Sequence, residues 1–247
     1  MNLEIFNRDE EVRALRNRLS AAKSLLVYGP PGVGKTLLLK AVIPEFPNVL
    51  YCSSSPSSQA VIKTIAALLV QRGDQTVKGI CKGDIEALLR KSTVSQKGIV
   101  MDALRAGEYM VVCDHLNRPS QAFAAMAREL MYLCSTPIVA VARSAHMEDA
   151  GFILPMLSDK SEKLAIKNFS PEVAGVFAEQ VCATKGLRAA NLDSVLTSIL
   201  DCSEGNPGAI VRLIEMASQD KYRSEHHIKW APLYIDFRME WATANAG

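Results

Sequence analysis

Eight consecutive residues, Gly29-Pro30-Pro31-Gly32-Val33-Gly34-Lys35-Thr36, follow the spacing G-x-x-x-x-G-K-T. Glycines at these places let successive backbone N–H groups curl around a β-phosphate. A lysine there reaches the β/γ oxygens and a threonine hydroxyl ligates Mg²⁺. The flanks give the pattern its weight. Residues 24–28 are an apolar run that reads as a strand, and residues 36–43 read as an apolar helix ending at Pro44, which puts an anion on a helix N-terminus. The candidates for holding a nucleoside triphosphate are therefore Gly29, Pro31, Gly32, Val33, Gly34, Lys35, Thr36 and Leu37, with Mg²⁺ on Thr36.

A second apolar run, residues 109–113, ends at Asp114. An Asp in that place commonly holds Mg²⁺ through its water shell beside the loop threonine; the alternative is a solvated turn carboxylate. His115 comes next. A neutral imidazole there could accept a proton from an attacking water, or it could merely occupy the position and leave hydrolysis slow. A third run, residues 136–142, ends at Arg143, a cation that could sense a γ-phosphate or cap a surface loop. Lys35, Asp114, His115 and Arg143 form the candidate catalytic set, and Thr36 and Asp114 the candidate metal set. Glu86, Glu108 and Glu129 have no role that spacing assigns.

The elements that must position these groups alternate. Residues 8–19 carry Val12, Leu15 and Leu19 at helical spacing. Strand 49–52 follows the loop helix, then a Ser-rich loop at 53–58 and a helix over 59–71. Residues 73–83 hold three glycines and several charges and read as a loop or small insertion, before helices at 84–91 and 95–106. A helix at 120–133 joins the second and third apolar runs, and a short strand is expected at 164–167. Strands separated by helices imply a parallel sheet with helices on both faces, and ligands gather at its carboxyl edge, where Gly29, Asp114 and Arg143 all lie. From Ser170-Pro171, a cap followed by a first-turn proline, the pattern becomes helices only: one to about Gly186, a second over 191–202, a third from Asn206-Pro207 to about Ser218. The expected fold class is α/β, a core of five parallel strands sandwiched by helices at residues 1–169, followed by a smaller α-helical lid at 170–247.

Bulk properties exclude several classes. With 247 residues and 49% hydrophobic content the chain can bury a substantial core. A net charge of +2, from 28 basic and 26 acidic side chains, gives no global attraction for nucleic acid or anionic membrane. Six cysteines at 52, 81, 113, 134, 182 and 202 form no C-x-x-C pair and read as reduced, packed thiols. The acidic N-terminus lacks a signal-peptide pattern and no apolar run approaches a membrane span, so a soluble, cytoplasmic protein is expected. Both tryptophans fall in the last residues, 221–247, with His226, His227, Tyr234 and Phe237. The histidine spacing fits no usual metal site. The segment is expected to close the helical core, or to dock a partner.

Arg8-Asp9-Glu10-Glu11, the phosphate loop, Asp114, Arg143 and Gly205-Asn206-Pro207 occur in the order seen in the AAA+/STAND branch of P-loop ATPases, and the chain resembles a compact member of it. That group includes archaeal-type and NACHT-like switch ATPases, origin-recognition ATPases and transposon target-selection ATPases. The resemblance covers about residues 6 to 218. It implies ATP or ADP with Mg²⁺ as cofactors. It also implies that Asn7 and Arg8 lie in the box against the adenine, that Arg143 is a sensor arginine, and that Pro207 is the lid proline touching the base. Two departures stand out: the usual Glu is replaced by His115, and the glycine before the box arginine is Asn7. Arg118, Arg128 and Lys160 are candidates for reaching a neighbouring subunit.

The leading functional expectation is a slow Mg-ATPase whose nucleotide state, sensed between core and lid, controls self-association or partner binding. The lack of an N-K-x-D guanine-reading motif agrees with adenine. An ATP-dependent DNA-binding regulator of the transposition or replication-initiator type is the second, with Lys78, Lys82, Arg90, Lys91 and Lys97 as its basic cluster. A nonhydrolysing scaffold is the third.

Overall fold

Three four- to five-residue strands carry the centre of the sheet: β1 (Leu25–Tyr28), β3 (Met110–Cys113) and β4 (Ile138–Ala142). Every residue in them except Tyr28 is buried. Strands apolar on both faces require helices on both faces, and hence a parallel sheet with helical crossovers. The computed structural model, which describes residues 5–55, 57–157, 159 and 162–245, has this sheet. With β2 (Val49–Cys52) and β5 (Lys163–Ala165) at the edges, the order is β2-β3-β4-β1-β5 and every pairing is parallel. The sheet order places β3, β4 and β1 side by side, so Asp114, Arg143 and Gly29, each one residue past a strand, share one edge.

The helices are α1 (Asp9–Ser20), α2 (Lys35–Val42), α3 (Ser58–Arg72), α4 (Gln75–Cys81), α5 (Ile85–Leu89), α6 (Thr93–Ala106), α7 (Gln121–Leu133), α8 (Met147–Ala150), α9 (Pro171–Lys185), α10 (Leu192–Ser203), α11 (Pro207–Ala217) and α12 (Trp230–Asn245). Side-chain caps start several of them. Ser57, Ser92, Ser120 and Ser170 each accept the N–H three residues on, and Gly73 and Gly186 end α3 and α9 in the left-handed region.

Three expectations need correction. Residues 73–83 are not a plain loop: Asp74 accepts from the N–H of Val77 and opens α4, which buries Val77 and Cys81 four residues apart. Two of the three glycines there flank α4, Gly73 as the cap of α3 and Gly83 at positive φ, while Gly79 lies inside it. The edge strand is Lys163–Ala165 rather than 164–167: its pairing with β1 ends at Tyr28 and Ala165, and Ile166 onward belongs to the other compact unit. The C-terminal region is not helices only, since β6 (Arg223–Ser224) and β7 (His227–Ile228) form a two-residue antiparallel hairpin around Glu225, which has φ of 48°.

The chain divides into two compact units. One comprises Asp9–Gly29 and Lys35–Ala165, and holds the sheet and the core around Leu26, Leu50, Ile65, Val111 and Phe123. The other takes the stretch up to Arg8, Pro30–Gly34 and Ile166 onward; its core gathers Phe177, Ile199, Ile210, Leu213 and Tyr222. Leu233 and Phe237 of α12 are buried in that core. None of the six cysteines is paired, and burial pushes the Cys52 thiol up to about 12. No described helix is long and apolar enough to cross a membrane.

Candidate phosphate-binding site

In the sheet unit, β1 hands the chain to Gly29 and α2 takes it up again at Lys35, one residue earlier than its sequence suggests. The Lys35 ammonium folds back to donate to the Gly29 carbonyl at 2.7 Å. Burial pushes its pKa down to about 8; Asp114 and Asp149 oppose the shift and Arg143 adds to it. Lys35, Asp114 and Arg143 are thus brought within electrostatic reach of one another.

Asp114 is 1% exposed, and three donors hold its carboxylate. Thr36 Oγ1 and the Tyr51 hydroxyl donate to Oδ2 at 2.9 and 2.8 Å, and the His115 backbone N–H donates to Oδ1 at 2.8 Å. Taking a carboxylate out of water is costly unless donors such as these replace the lost hydration. Tyr51 is pushed above the usual phenol range by burial and by this bond, so it stays a donor. His115 adopts φ of 54°, and its Nε2 stands 3.4 Å from Thr36 Oγ1 and 3.8 Å from Asp114 Oδ2. The imidazole is 64% exposed, open to solvent beside the Thr36–Asp114 pair.

In the helical unit, three successive loop carbonyls are hydrogen-bonded. Asn206 Nδ2 donates to Pro31 O at 2.8 Å, Gly208 N to Gly32 O at 3.0 Å, and the Arg8 guanidinium to Val33 O at 3.2 Å. Bonds to three successive carbonyls fix the course of the loop; Gly32 (φ 78°) and Gly34 (φ 100°) supply its curl, and Val33 N donates to Pro30 O at 3.3 Å within it. Arg8 is buried; it also donates to Lys167 O at 2.8 Å and lies 4.5 Å over the Phe169 ring. Asn7, where the resemblance implied glycine, has φ of 50°, a conformation Asn tolerates. Pro207 is the first residue of α11, next to Asn206 and Gly208.

The residues present fit Mg²⁺ with a triphosphate. Thr36 Oγ1 and Asp114 are hard oxygen donors 2.9 Å apart, and no cluster of three or more His, Cys, Asp or Glu among the described residues offers a competing metal site. Mg²⁺ favours this, taking one or two protein oxygens and keeping phosphate and water for the rest. A Cβ added at Gly34 would meet nothing within 4 Å, but the φ of 100° there is one that side chains rarely adopt. Leu37 is 42% exposed on α2. Arg118 and Arg128 are exposed; Lys160 lies outside the described residues. Tyr51, Asp149, Asn168 and Gly208 were not legible as site residues. Tyr51 is paired with Val112 in the β2–β3 register, a neighbourhood that only the strand order reveals.

Residues 25–102 match the family model described as AAA, ATPase family associated with various cellular activities. Among curated proteins, no sequence matches the chain. Solved structures share the fold. A Walker-type ATPase of Pyrococcus abyssi is 18% identical with a TM-score of 0.63, the match covering 97% of this chain and 73% of that one. The Orc1 protein of Aeropyrum pernix, in complex with DNA, is 17% identical with a TM-score of 0.61, covering 95% and 65%. A Signal Transduction ATPase with Numerous Domains (STAND) protein of Pyrococcus horikoshii with a tetratricopeptide repeat sensor is 15% identical with a TM-score of 0.50, the match covering 95% of this chain and 32% of that one. The phosphate loop, the β2-β3-β4-β1-β5 sheet and the likeness to these structures show a P-loop NTPase fold, within which residues 25–102 are similar to the AAA ATPase family.

Proposed function

We propose that the protein binds Mg-ATP on the Gly29–Thr36 loop, hydrolyses it slowly, and uses the state of that loop to control self-association or the binding of a protein partner. The observation that carries this is the buried Asp114 carboxylate bonded to Thr36 Oγ1, with Lys35 in electrostatic reach. Lys35 would contact the β/γ oxygens, Thr36 and Asp114 would hold the metal, and Arg143 would meet the γ-phosphate. Bound Mg²⁺ supplies charge neutralisation of the phosphates. Arg8, Asn206 and Gly208 grip the loop carbonyls, so a change of loop geometry on loading is felt in the helical unit. Pro207, beside those contacts, would meet the base.

The pH dependence of binding tests this. Below about pH 8 Lys35 carries its charge; above it the free loop is neutral at Lys35, and loading must recruit a proton. Affinity for ATP should be level from pH 7 to 8 and then fall, by up to about tenfold per pH unit. Lys35→Arg, which stays charged, should flatten the profile. No ATP binding at any pH sinks the proposal; a flat wild-type profile removes Lys35 from the contact.

His115 in place of the usual Glu accounts for slow turnover. His115→Glu should raise the single-turnover rate by at least about tenfold, the lower range of a positioned general base being about 100-fold. A rate unchanged in His115→Glu but lowered in His115→Ala would make His115 itself the base. Absence of turnover in the wild type and in both variants would favour a nonhydrolysing scaffold. For the DNA-binding alternative, the fold shared with Orc1 is the supporting observation. Two of its five basic residues are engaged elsewhere, Arg90 with Glu86 at 2.8 Å and Lys97 with Glu129.

A further inference from the structure

Asn206 opens α11, and an N-cap asparagine needs only its side-chain oxygen, which here accepts from Ala209 N at 3.1 Å. Its amide nitrogen is used as well. Nδ2 donates to Pro31 O at 2.8 Å and to Asn168 Oδ1 at 3.3 Å, while Asn168 Nδ2 donates to Glu204 O at 3.1 Å. The side chain is 6% exposed. Its orientation is dictated by its neighbours: Ala209 N can only donate and Pro31 O can only accept, so a flipped amide would face both wrongly. The other free donors of this helix end are also committed. Pro207 has no N–H and Gly208 N bonds Gly32 O, so the terminus offers its donors to the phosphate loop rather than to an anion.

The loop and the cap are fitted to each other. A Cβ at Gly32 would lie 2.7 Å from Asn206 Oδ1 and 3.0 Å from the Trp241 ring, and a Cβ at Gly208 would lie 2.8 Å from Gly32 Cα. The contact therefore needs glycine on both sides and a short amide between them.

We infer that Asn206, oriented by Asn168, is a positioning residue for the phosphate loop: it holds Pro31 O so that the following amides stay aimed for a phosphate. This rests on the proposed ATP-binding role of the loop. The cap and the loop contact are separable by chemistry. Asn206→Ser keeps a capping oxygen but is too short to reach Pro31 O, and Asn206→Asp keeps the cap while setting an acceptor against that carbonyl. Amide hydrogen exchange at Val33 and Gly208, whose N–H groups donate to Pro30 O and Gly32 O, measured without nucleotide, should quicken about fivefold in Asn206→Ser and more in Asn206→Asp, with little change in Tm. Affinity for ATP should fall by a similar factor. Asn168→Ala, which leaves the cap untouched, should show a smaller change of the same sign and serves if the Asn206 variants fold poorly. Unchanged exchange at Val33 and Gly208 in folded variants would overturn the inference. Because exchange is read on the free protein, that result is distinct from a failure of wild-type protein to bind ATP.

Discussion

Lys35→Ala should weaken ATP binding by at least about 100-fold while the protein stays folded. Two charge-assisted contacts to the phosphates, at about 1.5–3 kcal/mol each, come to about 3–6 kcal/mol, and each 1.4 kcal/mol is about tenfold. The fold does not depend on this charge. Burial holds the Lys35 pKa down at about 8, the mark of an ammonium kept where the folded state disfavours it. Thermal unfolding should therefore show a Tm equal to or above that of the wild type, and a calorimetric ATP titration should lose its heat. A variant that binds ATP as the parent does would place the nucleotide elsewhere.

The second large effect is expected at Gly208. Alanine there brings a Cβ to 2.8 Å from both Cα and O of Gly32, a collision of backbone with side chain that no rotamer relieves. Helix propensity would favour alanine by up to about 1 kcal/mol, but overpacking costs about 1–3 kcal/mol and endangers the 3.0 Å bond from Gly208 N to Gly32 O. The clash should win, lowering Tm by several degrees and ATP affinity with it. Gly175→Ala, inside α9 where an added Cβ meets nothing within 4 Å, is the matched control and should raise Tm slightly. Equal responses at the two positions would contradict the account of the loop–helix contact.

The phosphate loop and the alternation of strands and helices could be read from the chain because both are local patterns. A strand apolar on both faces, such as β4, announces its burial, and Ser170-Pro171 announces a helix start. Residues 73–83 misled because glycine is counted as a breaker, whereas here it ends one helix and the next is opened by the Asp74 cap. The site was legible where one chain segment supplies it, and hidden where partners meet through the fold. Tyr51 reaches Asp114 only because β2 lies beside β3, and Asn206 reaches Pro31 across 175 residues of sequence. Its cap signal was visible; the second use of its amide was not. Asn7 shows a further limit, since a motif written as glycine records a backbone conformation that asparagine also adopts.

Calorimetric titration of the wild-type protein with ATP at pH 7.5, with and without Mg²⁺, tests the central claim most directly. Thr36 Oγ1 and the buried Asp114 carboxylate, 2.9 Å apart, call for saturable binding at one site per chain that tightens when Mg²⁺ is present. Absence of binding to ATP in either condition, or binding indifferent to Mg²⁺ in both the wild type and Asp114→Asn, would contradict it.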